Sequence, residues 1–201
     1  MPLYSHAAYD DNLRKLALAP EVQHSRLIYL DLEEELENFC RFVPPVANHL
    51  NVYSTKLWGL LLRASAEIDS QLHSLIAELD GTSKDTNITH YRLWESDFQL
   101  SKFKLVTRFD GKEVIPFASF AINPSTSPAW WRDYNAVKHR RLESLQSATL
   151  ENTIQAVGGL YAVLYRQWGE YLLPRHLTFV NGHQVAQSPS QFFSITASPW
   201  S

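Results

Sequence analysis

Apolar residues recur at steps of three and four over most of the chain, and this spacing predicts helices. The clearest case follows Ser54, a good N-cap residue, and ends at Asp80 and Gly81. Its apolar positions are Leu57, Leu61, Ala64, Ile68, Leu72, Leu75 and Leu79. Because these positions share one face along the whole helix, we expect this helix to be central to the core.

Further helices are predicted before and after this helix in the sequence. Residues 10–19 predict a short helix ended by Pro20, and residues 26–43 predict a longer one that Pro44 and Pro45 break. Asn87 can cap a short helix, and Thr149 can cap a last long helix that ends at Pro174. Gly158 and Gly159 in this last helix allow the close approach of another helix.

The 26–43 segment also carries a run of acidic residues. A run of charges usually lies on a solvated face, and we expect that placement here. The residues are Asp31, Glu33, Glu34, Glu35 and Glu37.

Two segments alternate between apolar and polar residues, which predicts strands. Residues 102–109 place Phe103, Leu105 and Phe109 on one side, and residues 113–120 form the return strand after an Asp-Gly turn. Residues 177–180 and 184–186 predict a second hairpin, and Phe192, Phe193 and Ile195 can add a short strand. The prediction is a single mainly α domain over residues 1–201. It is a helical bundle with one or two small antiparallel β-hairpins, one inserted near 102–120 and one near 177–196.

Composition narrows the function classes. A net charge of −3 gives no global attraction to nucleic acid or to anionic membranes. A single cysteine, Cys40, excludes an internal disulfide and a cysteine-based zinc site. No apolar run reaches bilayer length, and the N-terminus does not resemble a signal peptide. We therefore expect a cytoplasmic protein that does not associate with a membrane. The chain also has no glycine-rich phosphate loop, and its eight histidines are dispersed, so we expect no cofactor and no metal.

Residues 130–141 gather most of the chemistry in the chain. Ser127 can serve as an N-cap with Pro128 as the first helical residue. Arg132, Asn135 and His139 then fall at i, i+3 and i+7, on one stripe of the helix. The apolar residues Trp130, Tyr134 and Val137 fall on a different face that is suited to burial. A cation, an amide and an imidazole therefore share the side that the aromatic residues do not need.

This stretch resembles a known motif. Arg132 and Asp133, five further residues and His139 fit the Arg-x(4–6)-His pattern of the HEPN superfamily. The larger pattern Trp-Trp-x-x-Tyr-Asn-x-x-Lys-His-x-Arg also resembles a set of uncharacterised bacterial helical proteins, in which a long upstream helix carries an acidic pair like Glu67 and Asp69. The resemblance implies a homodimeric helical bundle that acts as a metal-independent endoribonuclease in phage defence or a toxin–antitoxin pair. An antitoxin or an effector protein would be a further partner.

The same resemblance implies roles for individual residues. His139 would act as base or acid, Arg132 would hold the phosphate oxygens, and Asn135 would orient the phosphate or the imidazole. Glu67 would pair with Arg132 or His139. Lys138, Arg140 and Arg141 would attract the RNA backbone, and Asp133, Tyr134 and Lys138 would support the site.

Three alternatives stay open. A non-catalytic HEPN-like interaction or regulatory module would bury Arg132 and His139 in satisfied contacts, or expose them without a facing partner. In an unrelated helical protein the aromatic residues would simply anchor a helix. A small-ligand sensor would need a pocket where Trp94, Trp131 and Trp168 converge.

Overall fold

The computed structural model describes residues 3–4, 10–80, 87–122, 126–173, 176–180, 183–187 and 190–200. It confirms the mainly α fold with small antiparallel sheets. The helices are α1 (Asp11–Ala17), α2 (Pro20–Phe42), α3 (Thr55–Asp80), α4 (Ile88–Tyr91), α5 (Glu95–Phe98), α6 (Ala129–His139), α7 (Arg141–Ser144) and α8 (Leu150–Trp168). The strands are β1 (Lys104–Thr107), β2 (Glu113–Val114), β3 (His176–Val180), β4 (His183–Gln187) and β5 (Phe193–Ala197).

The core is built on the pairing of α3 with α8, and α2 packs against both. Helix α8 is the more enclosed of the two, since almost all of its side chains are buried. Its two adjacent glycines face different neighbours. A Cβ at Gly158 would lie 3.1 Å from a methyl of Leu105 on β1, and one at Gly159 would lie 3.2 Å from a methyl of Ile68 on α3. The predicted close approach of another helix is therefore confirmed at Gly159. Gly158 instead allows the close approach of strand β1.

The N-terminal helices differ from the prediction at one boundary. Asp10 caps α1, since its carboxylate accepts hydrogen bonds from the backbone N–H groups of Asn12 (2.9 Å) and Leu13 (3.0 Å). α1 does end before Pro20, but Pro20 itself begins α2, six residues before the predicted start at residue 26. Proline is tolerated there because the N–H of a first helical residue has no partner within the helix.

The prediction that the whole acidic run is solvated is wrong at Glu33. This residue is only 2% exposed. Its carboxylate accepts hydrogen bonds from the Tyr29 hydroxyl (2.8 Å), the Phe192 backbone N–H (3.1 Å) and the Ser190 hydroxyl. A buried carboxylate is tolerated where several donors satisfy it, so Glu33 ties α2 to the segment that precedes β5.

The first hairpin is confirmed, but its second strand is short. β1 pairs with β2 in antiparallel register, Leu105 opposite Val114. The predicted return strand to residue 120 is wrong beyond Val114, because Pro116 lacks a backbone donor and the chain turns into a 3-10 helix at Ala118–Ala121. Phe109, predicted on the buried side, is 43% exposed because it lies in the turn after β1 ends.

The C-terminal strands divide between two sheets. β3 and β4 form the predicted second hairpin, whose turn residues 181–182 lie outside the described residues. β5 instead pairs with β1, with Val106 opposite Ser194, so the larger sheet has the order β2-β1-β5. The extra strand predicted from Phe192, Phe193 and Ile195 is therefore present, and it completes the first sheet. No described helix is long and apolar enough to span a bilayer.

Candidate functional site on helix α6

Helix α6 begins one residue later than predicted. The carbonyl of Pro128 accepts hydrogen bonds from the backbone N–H groups of Trp131 and Arg132, both at 3.1 Å. Pro128 is therefore the N-cap, and Ser127 lies outside the helix without capping it. Proline serves this position because an N-cap needs its carbonyl oxygen for the first helical bond and has no use for its own N–H.

One face of α6 is anchored in the core as predicted. Trp130, Trp131, Tyr134 and Val137 are each at most 4% exposed. The indole N–H of Trp130 donates to the carbonyl of Pro116 at 2.8 Å. These contacts fix the rotation of α6 about its axis, and so they determine which residues face outward.

The outward stripe carries Arg132 and His139, and both side chains are exposed. Within the part of the chain that the structure describes, neither side chain makes a hydrogen bond or a salt bridge. Their positions are seven apart in the helix, so they lie about 10.5 Å apart along the helix axis and on nearly the same side. Arg132 and His139 are therefore not used by the fold of a single chain.

A cleft of about 350 Å³ adjoins this stripe. Trp131, Tyr134, Asn135 and Lys138 line it from α6, and Asp69 lines it from α3. The Lys138 ammonium lies 5.3 Å from the centre of the Tyr134 ring, a cation–π distance. The structure thus brings Asn135 and Lys138 together in one cleft, whereas Arg132 and His139 lie outside its lining.

The acidic residue of α3 at this cleft is Asp69 rather than Glu67. Asp69 accepts a hydrogen bond from the Tyr91 hydroxyl at 2.5 Å. Glu67 accepts one from Gln71 at 2.8 Å and lines a different cavity, against α2. Two helical positions differ by about 200° in direction, so the residues of this pair point to opposite sides. Their spacing was visible in the sequence, but the side that faces α6 depends on how α3 packs.

The predicted supporting residues Asp133 and Tyr134 have structural contacts. Asp133 accepts a hydrogen bond from the Asn152 side chain at 2.7 Å, and Asn152 also donates to the Ser147 carbonyl at 2.8 Å. This amide connects α6 to the first turn of α8. Tyr134 belongs to the buried face and contributes its ring to the cleft wall. Both residues hold the helix that presents the stripe.

The C-terminal end of α6 is a basic, exposed surface. Lys138, His139 and Arg140 are all exposed there. Arg141 begins α7, and its side chain lies outside the described residues. Leu142 follows in α7 and is 98% exposed. Cationic side chains at a helix C-terminus complement the helix dipole, and here they also concentrate positive charge beside an exposed apolar side chain.

The tryptophan pocket of the small-ligand alternative does not form from the described cavities. Trp131 lines the 350 Å³ cleft, and Trp168 lines a separate cavity against α2. Trp94 stacks on Phe98, with 6.3 Å between ring centres. Among the described residues, no group of three or more histidine, cysteine, aspartate or glutamate side chains is arranged as metal ligands.

No protein-family model matches the chain, and no curated protein or solved structure matches it significantly. The HEPN resemblance therefore rests on the residues of α6 and stays a prediction.

Proposed function

We propose that this protein is a metal-independent endoribonuclease of the HEPN type, with an active site on α6 that a second copy of the chain completes. One observation carries the proposal. Arg132 and His139 are exposed on the same stripe, without a partner in the described part of the chain. A cation and an imidazole that the fold does not use remain available for a ligand.

The chemistry follows from these two groups. His139 takes the proton of a ribose 2′-hydroxyl, the 2′-oxygen attacks the adjacent phosphorus, and the bond from phosphorus to the 5′-oxygen breaks. The leaving 5′-oxygen takes a proton from the imidazolium of the second chain. Arg132 binds the non-bridging oxygens as negative charge builds on them. The products are a 2′,3′-cyclic phosphate and a 5′-hydroxyl.

Two features explain why a second copy is needed. One chain supplies one histidine on this stripe, whereas the reaction uses both a base and an acid. A facing helix would also bring a second Arg132 and a second His139 to the same groove, where the two motifs together can surround one phosphate. The exposed side chain of Leu142, next to the stripe, is an apolar contact that such a facing copy would cover.

The surroundings of the stripe favour RNA as the ligand. Lys138 and Arg140 are exposed beside it and attract phosphates, even though the whole chain is slightly acidic. The adjoining cleft offers the Asn135 amide and the Asp69 carboxylate at its wall. The amide can donate hydrogen bonds to the edge of an unpaired base and accept them from it, and the carboxylate can accept them.

A non-catalytic HEPN-like interaction or regulatory module is the second candidate. One observation favours it: no described cavity is lined by both Arg132 and His139. In that case the same basic stripe and Leu142 would bind a partner protein without cleaving RNA.

The deciding experiment incubates the purified protein with structured and single-stranded RNA in the presence of a metal chelator. New 5′-hydroxyl and 2′,3′-cyclic phosphate ends are then mapped. We expect cleavage by the wild type and its loss in Arg132→Ala and His139→Ala. Arg108→Ala and His24→Ala are matched controls, because both side chains are exposed and lie outside α6. Equal cleavage by all five proteins would overturn the assignment of the site, and binding without cleavage would favour the interaction module.

Leu142→Asp separates the dimer requirement from the chemistry. This substitution is expected to leave the fold intact, since the side chain is 98% exposed. We expect it to shift the protein from dimer to monomer in light scattering and to reduce cleavage in parallel. A wild type that is monomeric and fully active would contradict the composite site.

A further inference from the structure

The cleft between α3 and α6 is lined by three polar side chains that can bind a ligand. Its volume of about 350 Å³ lies within the range of small-ligand sites. Asp69 lines it from α3, and Asn135 and Lys138 line it from α6. Asn87 and Ile88 line it from the start of α4. The contacts of the three polar side chains within the protein decide what they can offer to a ligand.

The Asp69 carboxylate has one oxygen in use and one open. Oδ1 accepts a hydrogen bond from the Tyr91 hydroxyl at 2.5 Å, and this bond holds the side chain in place. Oδ2 makes no hydrogen bond or ion pair within the described residues, and it is not one of the buried atoms that lack a partner. Because Asp69 is only partly buried, Oδ2 is open to solvent and can accept a hydrogen bond from a ligand.

Asn135 and Lys138 are also available. The Asn135 side chain makes no hydrogen bond in the described part of the chain, and its amide is not one of the buried groups without a partner. Lys138 is exposed, and its ammonium has the Tyr134 ring as its one partner among the described residues. The cleft therefore presents a hydrogen-bond acceptor, an amide and a cation.

Asp69 and Lys138 carry opposite charges at one cleft but form no salt bridge with each other. Opposite charges attract, so the two groups would pair directly if their places on α3 and α6 brought them into contact. A molecule that donates to the carboxylate and accepts from the ammonium at the same time would bridge them. The cleft is therefore suited to a ligand edge on which donors and acceptors lie side by side.

Guanine is the RNA base whose edge fits this arrangement. Its N1–H and N2–H₂ groups are adjacent donors that one carboxylate can accept together, since each carboxylate oxygen has two lone pairs. Its O6 and N7 atoms are adjacent acceptors, which lysine side chains bind in nucleic-acid complexes. Adenine and cytosine would instead turn an acceptor ring nitrogen toward the carboxylate, and uracil offers it a single donor. The open edge of an unpaired guanine satisfies both Asp69 and Lys138.

The aromatic residues of the cleft contribute little to this recognition. Trp131 and Tyr134 line it but are each only 4% exposed, so their rings offer no broad surface for stacking. The contacts with a base then come from the polar groups. A site that recognises its ligand through hydrogen bonds discriminates strongly against analogues that lack them, because its polar groups are then left unpaired.

Asn135 connects the cleft to the two candidate catalytic residues. Side chains three or four positions apart on a helix are neighbours, with about 5–6 Å between their Cβ atoms. Asn135 comes three positions after Arg132 and four before His139, so it is a neighbour of both. A base held in the cleft therefore leaves its ribose and phosphate beside the stripe.

We propose that the cleft binds one unpaired guanine base of the RNA, so that the ribonuclease cleaves single-stranded RNA beside guanine. Asp69 accepts from N1–H and N2–H₂, Lys138 donates to O6, and Asn135 lies where the base meets the phosphate. The choice of cleavage site rests on the proposed ribonuclease function, whereas binding of the base requires no reaction.

Binding is measured by fluorescence anisotropy with the full-length wild type and labelled uridine heptamers that carry guanine, adenine, cytosine or uracil at the centre. All sugars carry 2′-fluorine, so the hydroxyl that the reaction uses is absent and binding is measured alone. We expect the guanine heptamer to bind at least about tenfold more tightly than the other three. Equal affinity for the four heptamers, or no binding of any of them, would overturn the proposal.

Asp69→Asn and Glu67→Gln test whether the preference belongs to the cleft. Asp69→Asn keeps an oxygen that can accept from Tyr91 but removes the charge, and we expect the guanine-to-adenine affinity ratio to fall below about twofold. Glu67→Gln is the matched control, because Glu67 lies two positions earlier on α3 and lines a different cavity. Circular dichroism checks that both variants fold. Loss of the ratio in both variants, or in neither, would contradict the assignment.

Inosine at the centre of a further heptamer tests one contact of the base. It differs from guanine only in lacking the N2 amino group. We expect it to bind the wild type at least about fivefold more weakly than guanine does, and to bind Asp69→Asn as well as guanine does. An equal weakening in both proteins would place the amino group away from Asp69 and would refute the proposed contact.

Cleavage of the corresponding all-ribose heptamers separates this proposal from the ribonuclease function. Cleavage that is equally fast beside every base would overturn the guanine site and support the ribonuclease. Guanine-selective binding without cleavage would support the base site and overturn the ribonuclease.

Discussion

Two helical arginines, Arg166 on α8 and Arg132 on α6, are used in opposite ways. The Arg166 guanidinium donates to the backbone carbonyls of Phe98 (2.7 Å), Tyr4 (2.8 Å) and Asp97 (2.8 Å). It also lies 5.8 Å from the centre of the Trp200 ring, and burial lowers its pKa. Arg132 has no such contacts within the described residues. The fold uses one arginine to hold distant segments together and leaves the other exposed.

The same contrast holds for the two helices. Helix α8 is enclosed almost all round, and two of its buried polar atoms, the Gln167 side-chain oxygen and the Trp168 indole nitrogen, have no partner among the described residues. Helix α6 buries one face only, so its other face can evolve around a ligand without disturbing the core. A net charge of −3 describes neither region, because the α6 end is basic and the cavity at the α8 end is acidic.

The largest effect is expected from Arg166→Ala. The substitution leaves three carbonyl groups without their donor and removes packing against Trp200. Together these losses are expected to lower the free energy of unfolding by about 4 kcal/mol. Urea unfolding followed by circular dichroism measures the change. Arg166→Lys should recover only part of it, because an ammonium cannot reproduce the planar arrangement of donors. A loss below about 1 kcal/mol for Arg166→Ala would remove the contrast with Arg132.

Glu33→Ala is expected to rank next. It leaves the Tyr29 hydroxyl, the Ser190 hydroxyl and the Phe192 N–H without their shared acceptor in a buried place. We expect a loss of about 3 kcal/mol in the free energy of unfolding. Glu34→Ala, on the exposed side of the same acidic run, is the control and should stay within about 0.5 kcal/mol of the wild type. Equal losses of unfolding free energy in the two variants would mean that Glu33, like Glu34, is solvated.

Glu33 also shows why part of the fold escaped sequence reasoning. Its partner Ser190 is 157 positions away, so no local pattern distinguishes it from Glu34. The pairing of β1 with β5 is non-local in the same way. By contrast, the Ser54 cap of α3 and the Thr149 cap of α8 are local signals, and both helices begin where these residues predict.

The candidate site also combines features that local sequence predicts with features that depend on how distant segments pack. The stripe of Arg132 and His139 follows from helical periodicity and from the tryptophans that bury the other face, so it could be predicted. The direction of Glu67 could not, because it depends on how α3 is rotated between α2 and α8. The cavity that Gln167 and Trp168 line was missed for a related reason, since its walls come from four separate helices, α1, α2, α3 and α8.

A smaller effect is expected from the pH dependence of the ion pairs between α2 and α3. Burial raises the pKa of Glu35, but hydrogen bonds from Lys56 and Arg63 outweigh it and leave the pKa below its ordinary value. A carboxyl with a lowered folded-state pKa stabilises the protein above its unfolded pKa, and this contribution is lost as the pH falls through the folded pKa. The free energy of unfolding of Glu35→Gln should therefore be about 0.5 kcal/mol lower than that of the wild type at neutral pH. In strong acid the two proteins should be equally stable. Urea unfolding of both proteins from neutral to acidic pH measures it, and a difference that persists in acid would assign the effect to packing.

The smallest effect on stability is expected at the candidate site itself, and this result sharpens the contrast most. Arg132→Ala and His139→Ala remove exposed side chains without partners in the described chain, so their unfolding free energies should stay within about 0.5 kcal/mol of the wild type. The ribonuclease proposal requires the same two proteins to lose RNA cleavage. A marked loss of stability would instead place Arg132 with Arg166, among the residues that hold the fold together. Unchanged stability combined with lost cleavage would mean that α6 is kept rigid by its buried tryptophans so that its outer stripe can act on RNA.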